Sequence, residues 1–388
     1  MTPLPGNERQ PSLDALRGMA LFGVLWINLL TVFRVSLFEH IAVFHTHPGA
    51  LNEWIDLVSI WVFEFKAFTV FSFLFGVGVC IQAERVSRKQ THAAAFLLRR
   101  FGVLLAIGVV HMFFIWNGDI LCLYAICGIL SIPFIRLPTW LLISLGIAAI
   151  AFSFAPINWV SLPTEKMMRT QATAATQVYA NGNYLVILAL RWHETCDFML
   201  PLLLNALPKT FGLVLLGMAA WRKGLLKEPA EHRRFLGSFF VLGTAIGALA
   251  TSLIFRSAIS GKALPLSSNL ADALSYIPMA LGLAAGFTLW LIDRTSGTLV
   301  SLFAAAGRMA LSNYLAQSII FSLIFYGYGL RQFGKLAPAP AALIGLAVFG
   351  VQLITSREWL RRYQFGPMEW LWRSLTYGRR QPFRHTPP

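Results

Sequence analysis

Residues 12–38 read SLDALRGMALFGVLWINLLTVFRVSLF, and this stretch decides the fold. It begins with a carboxylate and a guanidinium three residues apart, Asp14 and Arg17, and is mostly apolar from there to its end. Side chains three or four residues apart share one face of a helix, and Asn28 follows about four turns after Asp14 on nearly the same face. Since charge in hydrocarbon is costly unless it faces protein or water, the stretch predicts a transmembrane helix whose polar stripe lines a cavity.

The composition extends this conclusion to the whole chain. Only 13% of its 388 residues are charged and 56% are hydrophobic, whereas soluble domains carry about 25% charged residues. Transmembrane β-strands would alternate apolar and polar residues, which these stretches do not. The sequence therefore predicts an all-α polytopic membrane protein, a single transmembrane domain over residues 1–388 with a bundle of about ten helices in a lipid bilayer. The predicted spans are 14–36, 65–84, 96–117, 119–135, 138–155, 203–221, 235–256, 271–292, 307–329 and 339–360.

The basic residues predict the orientation. The net charge is +15, but no basic domain with interleaved aromatic residues lies outside the spans, which argues against nucleic acid as a partner. If the N-terminus is cytoplasmic, 22 of the 32 Lys and Arg residues lie on the cytoplasmic side, as the positive-inside rule requires. We therefore predict that both termini are cytoplasmic. Residues 37–64 and 156–202 are predicted as long extracytoplasmic segments, Tyr184–Leu202 as an interfacial helix or half-helix, and 361–388 as a cytoplasmic interfacial tail.

The third predicted span carries an ionisable stripe. Arg100 and His111 are about three helical turns apart, so they share one face, and Arg99 lies beside the first of them. Asp119 follows at the tight corner that begins with Trp116. A membrane histidine is a candidate for proton transfer, and the alternative is a neutral ring that is hydrogen-bonded within the bundle. Asp119 either orients this histidine or only caps the next helix.

Amide residues in the ninth span and glycines in the second span bear on how the helices pack. Asn313 and Gln317 follow Arg308 in the ninth span and lie one turn apart, so they either join helices by hydrogen bonds or line the cavity. Gly76 and Gly78 in the second span predict close packing of neighbouring helices, which small residues allow.

The sequence gives no strong indication of a metal or of a tightly bound cofactor. His193, Glu194 and Asp197 have the spacing of metal ligands, as do His45 and His47. A metal site needs three or more ligands, and no third or fourth ligand is fixed by either group. A solvated outer face is the simpler interpretation, and we predict no bound metal.

A set of motifs distributed over almost the whole chain is similar to the bacterial YeiB family, long labelled a domain of unknown function. Its most specific part is the C-terminal Gly-Pro-x-Glu-Trp-x-Trp-Arg pattern. The motifs are Leu13-Asp-Ala-Leu-Arg17-Gly18, Phe71-Ser-Phe-Leu-Phe-Gly76, Trp116-Asn-Gly-Asp119-Ile-Leu, Gly307-Arg…Asn313-Tyr, and Gly366-Pro-Met-Glu369-Trp-Leu-Trp-Arg373.

By fold this family is grouped with transmembrane acyltransferases, including the lysosomal enzyme that acetylates heparan sulfate glucosamine. That enzyme is similar to this chain in its Asp-x-x-Arg-Gly opening and in an asparagine near the far end of the first helix, matched here by Asn28. Its catalytic histidine follows that asparagine by a turn or two of loop. His40, His45 and His47 fall in this region of the present chain, whereas His111 belongs to the YeiB-like pattern.

The resemblance implies an acyltransferase in the bacterial cytoplasmic (inner) membrane that moves an acyl group from cytoplasmic acyl-CoA to an extracytoplasmic or lipid-linked acceptor. Arginines at the inner face would hold the donor's phosphates, because a guanidinium matches phosphate geometry. His111 would be the general base, Asp119 would orient it, and Asn28 or Asn313 would stabilise the oxyanion. The predicted substrate-binding residues are Asp14, Arg17, Arg99, Arg100, Arg308, Asn313 and Gln317.

Two other classes of function fit the same composition. A small-molecule transporter would also need buried charge, although transporters usually show inverted repeats with broken helices, and no repeat is visible in this sequence. A non-catalytic membrane protein that binds lipid or a partner is the third class. The oligomeric state, including a homodimer, is open at this point.

Overall fold

The computed structural model of the chain describes residues 10–42, 49–87, 93–155, 164–260, 268–294 and 297–385. These ranges form sixteen α-helices and contain no β-strand. The helices are α1 Pro11–Asn28, α2 Leu37–Ala42, α3 Ala50–Val58, α4 Lys66–Ser87, α5 Ala93–Val110, α6 Leu121–Ser131, α7 Thr139–Ser153, α8 Glu165–Asn181, α9 Tyr184–Glu194, α10 Leu200–Arg222, α11 Arg233–Ser260, α12 Ser268–Ile292, α13 Thr298–Arg308, α14 Ala310–Phe325, α15 Pro338–Arg362 and α16 Pro367–Tyr377.

The apolar helices confirm the all-α membrane fold. In the described part of the chain, 7 helical segments are long and apolar enough to cross a bilayer, or up to 8 if a bent pair counts as one. The spans predicted at 119–135 and 138–155 correspond to shorter apolar helices, Leu121–Arg136 and Thr139–Ser153. The total of about ten spans and the orientation of the bundle remain predictions.

Two predicted elements differ from the structure. Helix α9 runs through a π-helical turn, Thr195–Met199, into α10, so Tyr184–Arg222 is one apolar helix of 39 residues. The stretch Tyr184–Leu202, predicted as an interfacial helix or half-helix, is therefore continuous with the sixth predicted span. The ninth predicted span, 307–329, contains α14 and begins at an 80° bend, because α13 ends at Arg308 and α14 starts at Ala310 in a new direction.

Glycines permit the closest helix contacts. A Cβ placed on Gly18 of α1 would stand 2.0 Å from the carbonyl oxygen of Phe303, and one on Gly307 of α13 would stand 1.9 Å from the carbonyl oxygen of Asp14. The backbones of α1 and α13 touch at both points, as small residues in membrane helices allow. Gly76 makes the same kind of contact with α10, as the sequence predicts. Gly78 does not pack on a helix, because its nearest neighbour is the Arg17 guanidinium, 3.5 Å from its Cβ position.

The polar residues of α14 join this helix to α15. The Asn313 amide donates to the carbonyl of Ala306, across the bend, and to the Ser356 hydroxyl at 3.0 Å. Gln317 donates to Gln352 at 2.8 Å. These buried amides supply hydrogen bonds between helices, where a free polar group in hydrocarbon would be costly.

Replacing Gly18 by Ala should destabilise the protein by about 1–3 kcal/mol, the usual cost of overpacking. The added methyl group has only backbone to displace, so α1 and α13 must separate. The measurement is the thermal midpoint of detergent-purified protein, followed by the monodisperse fraction on size exclusion. Gly102→Ala is the matched control, because nothing lies within 4 Å of that Cβ position in α5. Equal midpoints for the two variants would contradict the packing described above.

Candidate active site

A cavity of about 640 Å³ lies between α1, α4, α5 and α14 and reaches the end of the bundle where α1 begins. Gln10 and Lys227 meet at this end through a hydrogen bond of 3.1 Å. We call it the basic end, because positively charged side chains outnumber acidic ones around it. The basic residues are Arg17, Arg85, Arg100, Lys227, Arg308 and Arg373, and the acidic ones are Asp14, Glu84 and Glu369.

The first two residues of the polar stripe of α1, Asp14 and Arg17, face this cavity. Arg17 is ion-paired with Asp14 at 3.0 Å, and both side chains are partly exposed to the cavity. Gly78 on the facing helix leaves room for the guanidinium. The two residues that open the first span are therefore placed together on the surface that the sequence predicts for them.

Helix α16 lines the basic end of the cavity. The Arg100 guanidinium lies 3.8 Å from the ring centre of Trp372, and the indole of Trp372 donates to the Arg100 carbonyl at 2.8 Å. The indole of Trp370 donates to the Gln381 carbonyl. The indole N–H groups of both tryptophans in α16 thus donate to backbone carbonyls of the protein.

Glu369 fixes α16 to the bend of the ninth span. Its carboxylate accepts from the backbone N–H groups of Leu311 and Ser312 at 2.8 and 3.1 Å and from the Ser312 hydroxyl. These amides are the first of α14, where the helix dipole favours an anion. Burial raises the pKa of Glu369 above its ordinary value, and the hydrogen bonds from Ser312 and Leu311 oppose that shift.

The far end of the cavity is apolar and aromatic. Val24, Phe71, Phe75 and Leu104 line it, and Tyr124 stacks on Phe75 with ring centres 5.2 Å apart. Since hydrophobic walls with a few polar groups are typical of small-molecule sites, this end suits an apolar group and the basic end suits an anion.

His111 and Asp119 form a buried pair behind the far end. Asp119 Oδ2 lies 2.7 Å from His111 Nδ1, and the two side chains are 0% and 1% exposed. The other oxygen, Oδ1, accepts from the backbone N–H of Cys122 at 2.8 Å, so Asp119 both caps α6 and orients the histidine. Tyr314 lines the cavity and also packs on His111, with ring centres 5.2 Å apart.

Within the described residues, the pair leaves one nitrogen of His111 without a hydrogen-bond partner. An ionised carboxylate only accepts hydrogen bonds, so Asp119 holds the proton of the neutral ring on Nδ1 and leaves the lone pair on Nε2. In the described part of the chain, His111 Nε2 is buried and has no hydrogen-bond partner. This is the arrangement that a general base oriented by a carboxylate requires.

Six predicted site residues do not line the cavity in the described part of the chain, and two of them, His111 and Asp119, form the buried pair described above. Asn28 is half-buried in α1. Arg99 is exposed, and its guanidinium lies against Gly378 at the end of α16. Asn313 and Gln317 are turned to α15, which is the interhelical alternative for both. Asp14, Arg17, Arg100 and Arg308 do line it.

The residues with metal-ligand spacing are not brought together. His193 and Asp197 are exposed, whereas Glu194 is buried. Among the described residues, no three His, Cys, Asp or Glu side chains form a group that could hold a metal ion. His45 and His47 lie outside the described residues.

Sequence reasoning missed three residues of this site. Glu369 and Trp372 belong to the C-terminal motif, whose tryptophans are equally typical of a membrane interface, so the motif did not show that they face the protein. Tyr314 adjoins Asn313, but only the bend at Met309 turns it toward the cavity.

The comparisons with known proteins place the chain in a family. The model of the DUF418 family, described as a protein of unknown function, matches residues 220–379. The "Uncharacterized protein YxaH" of Bacillus subtilis is 33% identical over 98% of both chains. The chain belongs to the DUF418 family. The family's relatives include the "Uncharacterized protein YeiB" of Escherichia coli, 26% identical over 95% of this chain and 96% of its own, which confirms the YeiB resemblance.

A second Bacillus relative, the "Uncharacterized 39.9 kDa protein in amylase 3'region" of Bacillus acidopullulyticus, is 26% identical over 98% of both chains. Full-length similarity to bacterial proteins and several apolar helices together describe a multi-pass bacterial membrane protein of the DUF418 family.

Glu369→Ala should loosen α16 by removing a charged acceptor of three hydrogen bonds, at a cost of about 1.5–3 kcal/mol. Glu369→Gln is the matched control, because its amide oxygen can still accept from Leu311 and Ser312. The measurement is the rate of limited trypsin cleavage after Arg373 and Arg379. We expect faster cleavage in the alanine variant than in the glutamine variant. Equal cleavage of wild type and Glu369→Ala would show that α16 is held by other contacts.

Proposed function

We propose that this DUF418 protein is a membrane-bound acyltransferase whose donor is an acyl-CoA. The proposal is carried by one continuous cavity that is basic at one end, apolar at the other and backed there by a buried histidine–carboxylate pair. Its volume, about 640 Å³, lies within the range of small-molecule sites, roughly 300–1,000 Å³.

The donor would lie along the cavity with its phosphates at the basic end, which the positive-inside rule predicts to be cytoplasmic. Arg17, Arg100 and Arg308 line that end, and a guanidinium binds phosphate oxygens in pairs. The acyl group would extend past Phe71 and Phe75 toward Tyr314. This direction brings the thioester toward His111.

The transfer then needs one base and one acid, and a single histidine can supply both. His111 Nε2 takes the proton from an acceptor hydroxyl or amine as its oxygen or nitrogen bonds to the thioester carbonyl. The carbon–sulfur bond breaks, and the imidazolium returns the proton to the leaving thiolate, so that free CoA and the acylated acceptor result. Asp119 stabilises the imidazolium. We assign the oxyanion contact to the Tyr314 hydroxyl, because Tyr314 lines the cavity and its ring packs on His111.

A transporter is the second candidate, and the bend of α13 and α14 is the observation that favours it. Broken helices near a central cavity are common in transporters. In this protein the amides at the break are occupied by Glu369, which belongs to the chain itself. In the acyltransferase proposal, the acceptor of the acyl group is extracytoplasmic or lipid-linked, and this part of the proposal does not depend on the contact between Glu369 and α14.

Arg100→Ala should weaken acetyl-CoA binding by roughly 10- to 100-fold, because one charged hydrogen bond contributes about 1.5–3 kcal/mol. Arg99→Ala is the matched control, since this neighbouring arginine lies outside the cavity. The measurement is calorimetric titration of acetyl-CoA and octanoyl-CoA into protein in lipid nanodiscs. Equal losses in both variants would contradict a donor site at the basic end. Absence of binding at millimolar donor would contradict the acyltransferase proposal itself and favour transport.

His111→Ala should reduce CoA release at least 100-fold, the lower end for loss of a general base, and should change acetyl-CoA affinity less than twofold. CoA thiol is measured in proteoliposomes prepared with total bacterial lipid extract as the source of acceptor. His193→Ala is the control, because His193 is exposed on α9. Retained release in His111→Ala would exclude it as the base and direct attention to His40, which lies 3.2 Å from Glu64.

A further inference from the structure

A second buried polar cluster lies on the other side of the Trp116–Asp119 corner. Asp119 turns toward His111, whereas Asn117, two residues earlier, donates to Glu194 Oε2 on α9 at 2.8 Å. Tyr179 of α8 donates to the same oxygen at 2.6 Å. Arg191, one turn before Glu194 on α9, donates through Nη1 to the Phe114 carbonyl at 3.1 Å. The corner therefore separates the catalytic pair from this cluster, which we call the outer cluster: Asn117, Tyr179, Arg191 and Glu194.

The outer cluster holds two oppositely charged groups that are only partly hydrogen-bonded. Glu194 is 3% exposed and Arg191 is 0% exposed. Among the described residues, Glu194 Oε1 and Arg191 Nε and Nη2 are buried with no hydrogen-bond partner. A buried carboxylate and a buried guanidinium without full hydrogen bonding are costly, and the two do not form a direct ion pair in the described structure. Such atoms need partners from outside the chain, and a water molecule or a ligand hydroxyl can supply them.

The charges in the cluster indicate a neutral ligand. A guanidinium and a carboxylate already balance each other, so an anionic or cationic ligand would bring an uncompensated charge into the bundle. A hydroxyl group can donate to Glu194 Oε1 and accept from Arg191 at the same time. Burial raises the pKa of Tyr179 well above its ordinary value, so its phenol stays neutral and occupies Glu194 Oε2 as a donor.

The surroundings of the cluster are aromatic. The Arg191 guanidinium lies 5.7 Å from the ring centre of Tyr326, whose ring packs on Tyr179 at 4.8 Å. Trp116, 1% exposed, adjoins Asn117 and packs against the ring of His111 at 6.2 Å. Aromatic walls with a few convergent polar groups are typical of a site for a compact organic molecule.

We propose that the outer cluster binds a neutral polyhydroxylated molecule, with one hydroxyl between Glu194 and Arg191. In the acyltransferase proposed above this molecule is the acceptor, and that role rests on the proposed function. Binding itself needs neither the donor nor His111.

The test uses wild-type protein in lipid nanodiscs without sugar-headed detergent and without any acyl-CoA. Three compounds that share the glucose ring but differ in charge are titrated by calorimetry: glucose, glucose 6-phosphate and glucosamine. We expect glucose to bind most tightly and Glu194→Gln to weaken it at least tenfold. Asp197→Asn, an exposed carboxylate on the same helical segment, should bind glucose like wild type. The affinity for acetyl-CoA should be unchanged in both variants, which also shows that they are folded.

Hydrogen–deuterium exchange on wild type gives a readout that needs no variant. Glucose should slow exchange in peptides covering 111–119 and 184–194 and leave those covering the basic end unchanged. Tighter binding of glucose 6-phosphate, equal glucose affinity in wild type and Glu194→Gln, or no binding by any of the three compounds would overturn the proposal. None of these results would affect donor binding, so failure here is distinct from failure of the acyltransferase proposal.

Discussion

A helix that breaks inside a bilayer must find partners for its freed backbone groups within the protein, because no water is present to receive them. The 80° bend between α13 and α14 creates this demand next to the cavity. The Asn313 amide binds the carbonyl of Ala306 on one side of the bend, and the Glu369 carboxylate binds the first amides of α14 on the other. Since Glu369 is part of α16, satisfying the bend also docks α16.

The docked α16 then shapes the donor end of the cavity. With Glu369 in place, Trp372 lies on Arg100 and holds its guanidinium at the cavity wall. On the other side of the same cavity, the contact of Gly18 with Phe303 holds α13 on α1. The arginine that the acyltransferase proposal needs is thus positioned by a chain of contacts that starts at the broken helix.

Local spacing made part of this site predictable. Asp14 and Arg17 are three residues apart, and Asp119 follows the tight corner after His111, so short-range geometry placed both pairs correctly. The bend at Met309 was not predictable, because residues 298–325 contain no proline to mark a break. Hydropathy measures how apolar a stretch is and not the direction of its axis. The amides of Asn313 and Gln317 therefore had two open interpretations until the position of α15 was known.

The burial of Arg191 and Glu194 was difficult to predict from the sequence for a different reason. Tyr184–Leu202 looks amphipathic on a regular α-helix, but the π-helical turn Thr195–Met199 inserts an extra residue between the outer and inner parts of this helix. Each residue of an α-helix turns the chain by about 100°, so that one residue sets the phase between Glu194 at one end and Trp221, which lines the cavity, at the other. The number of residues in this one turn therefore sets the direction in which the surface around Glu194 faces relative to the cavity surface around Trp221. Removing one residue there would rotate one surface by about 100° against the other without changing any other residue.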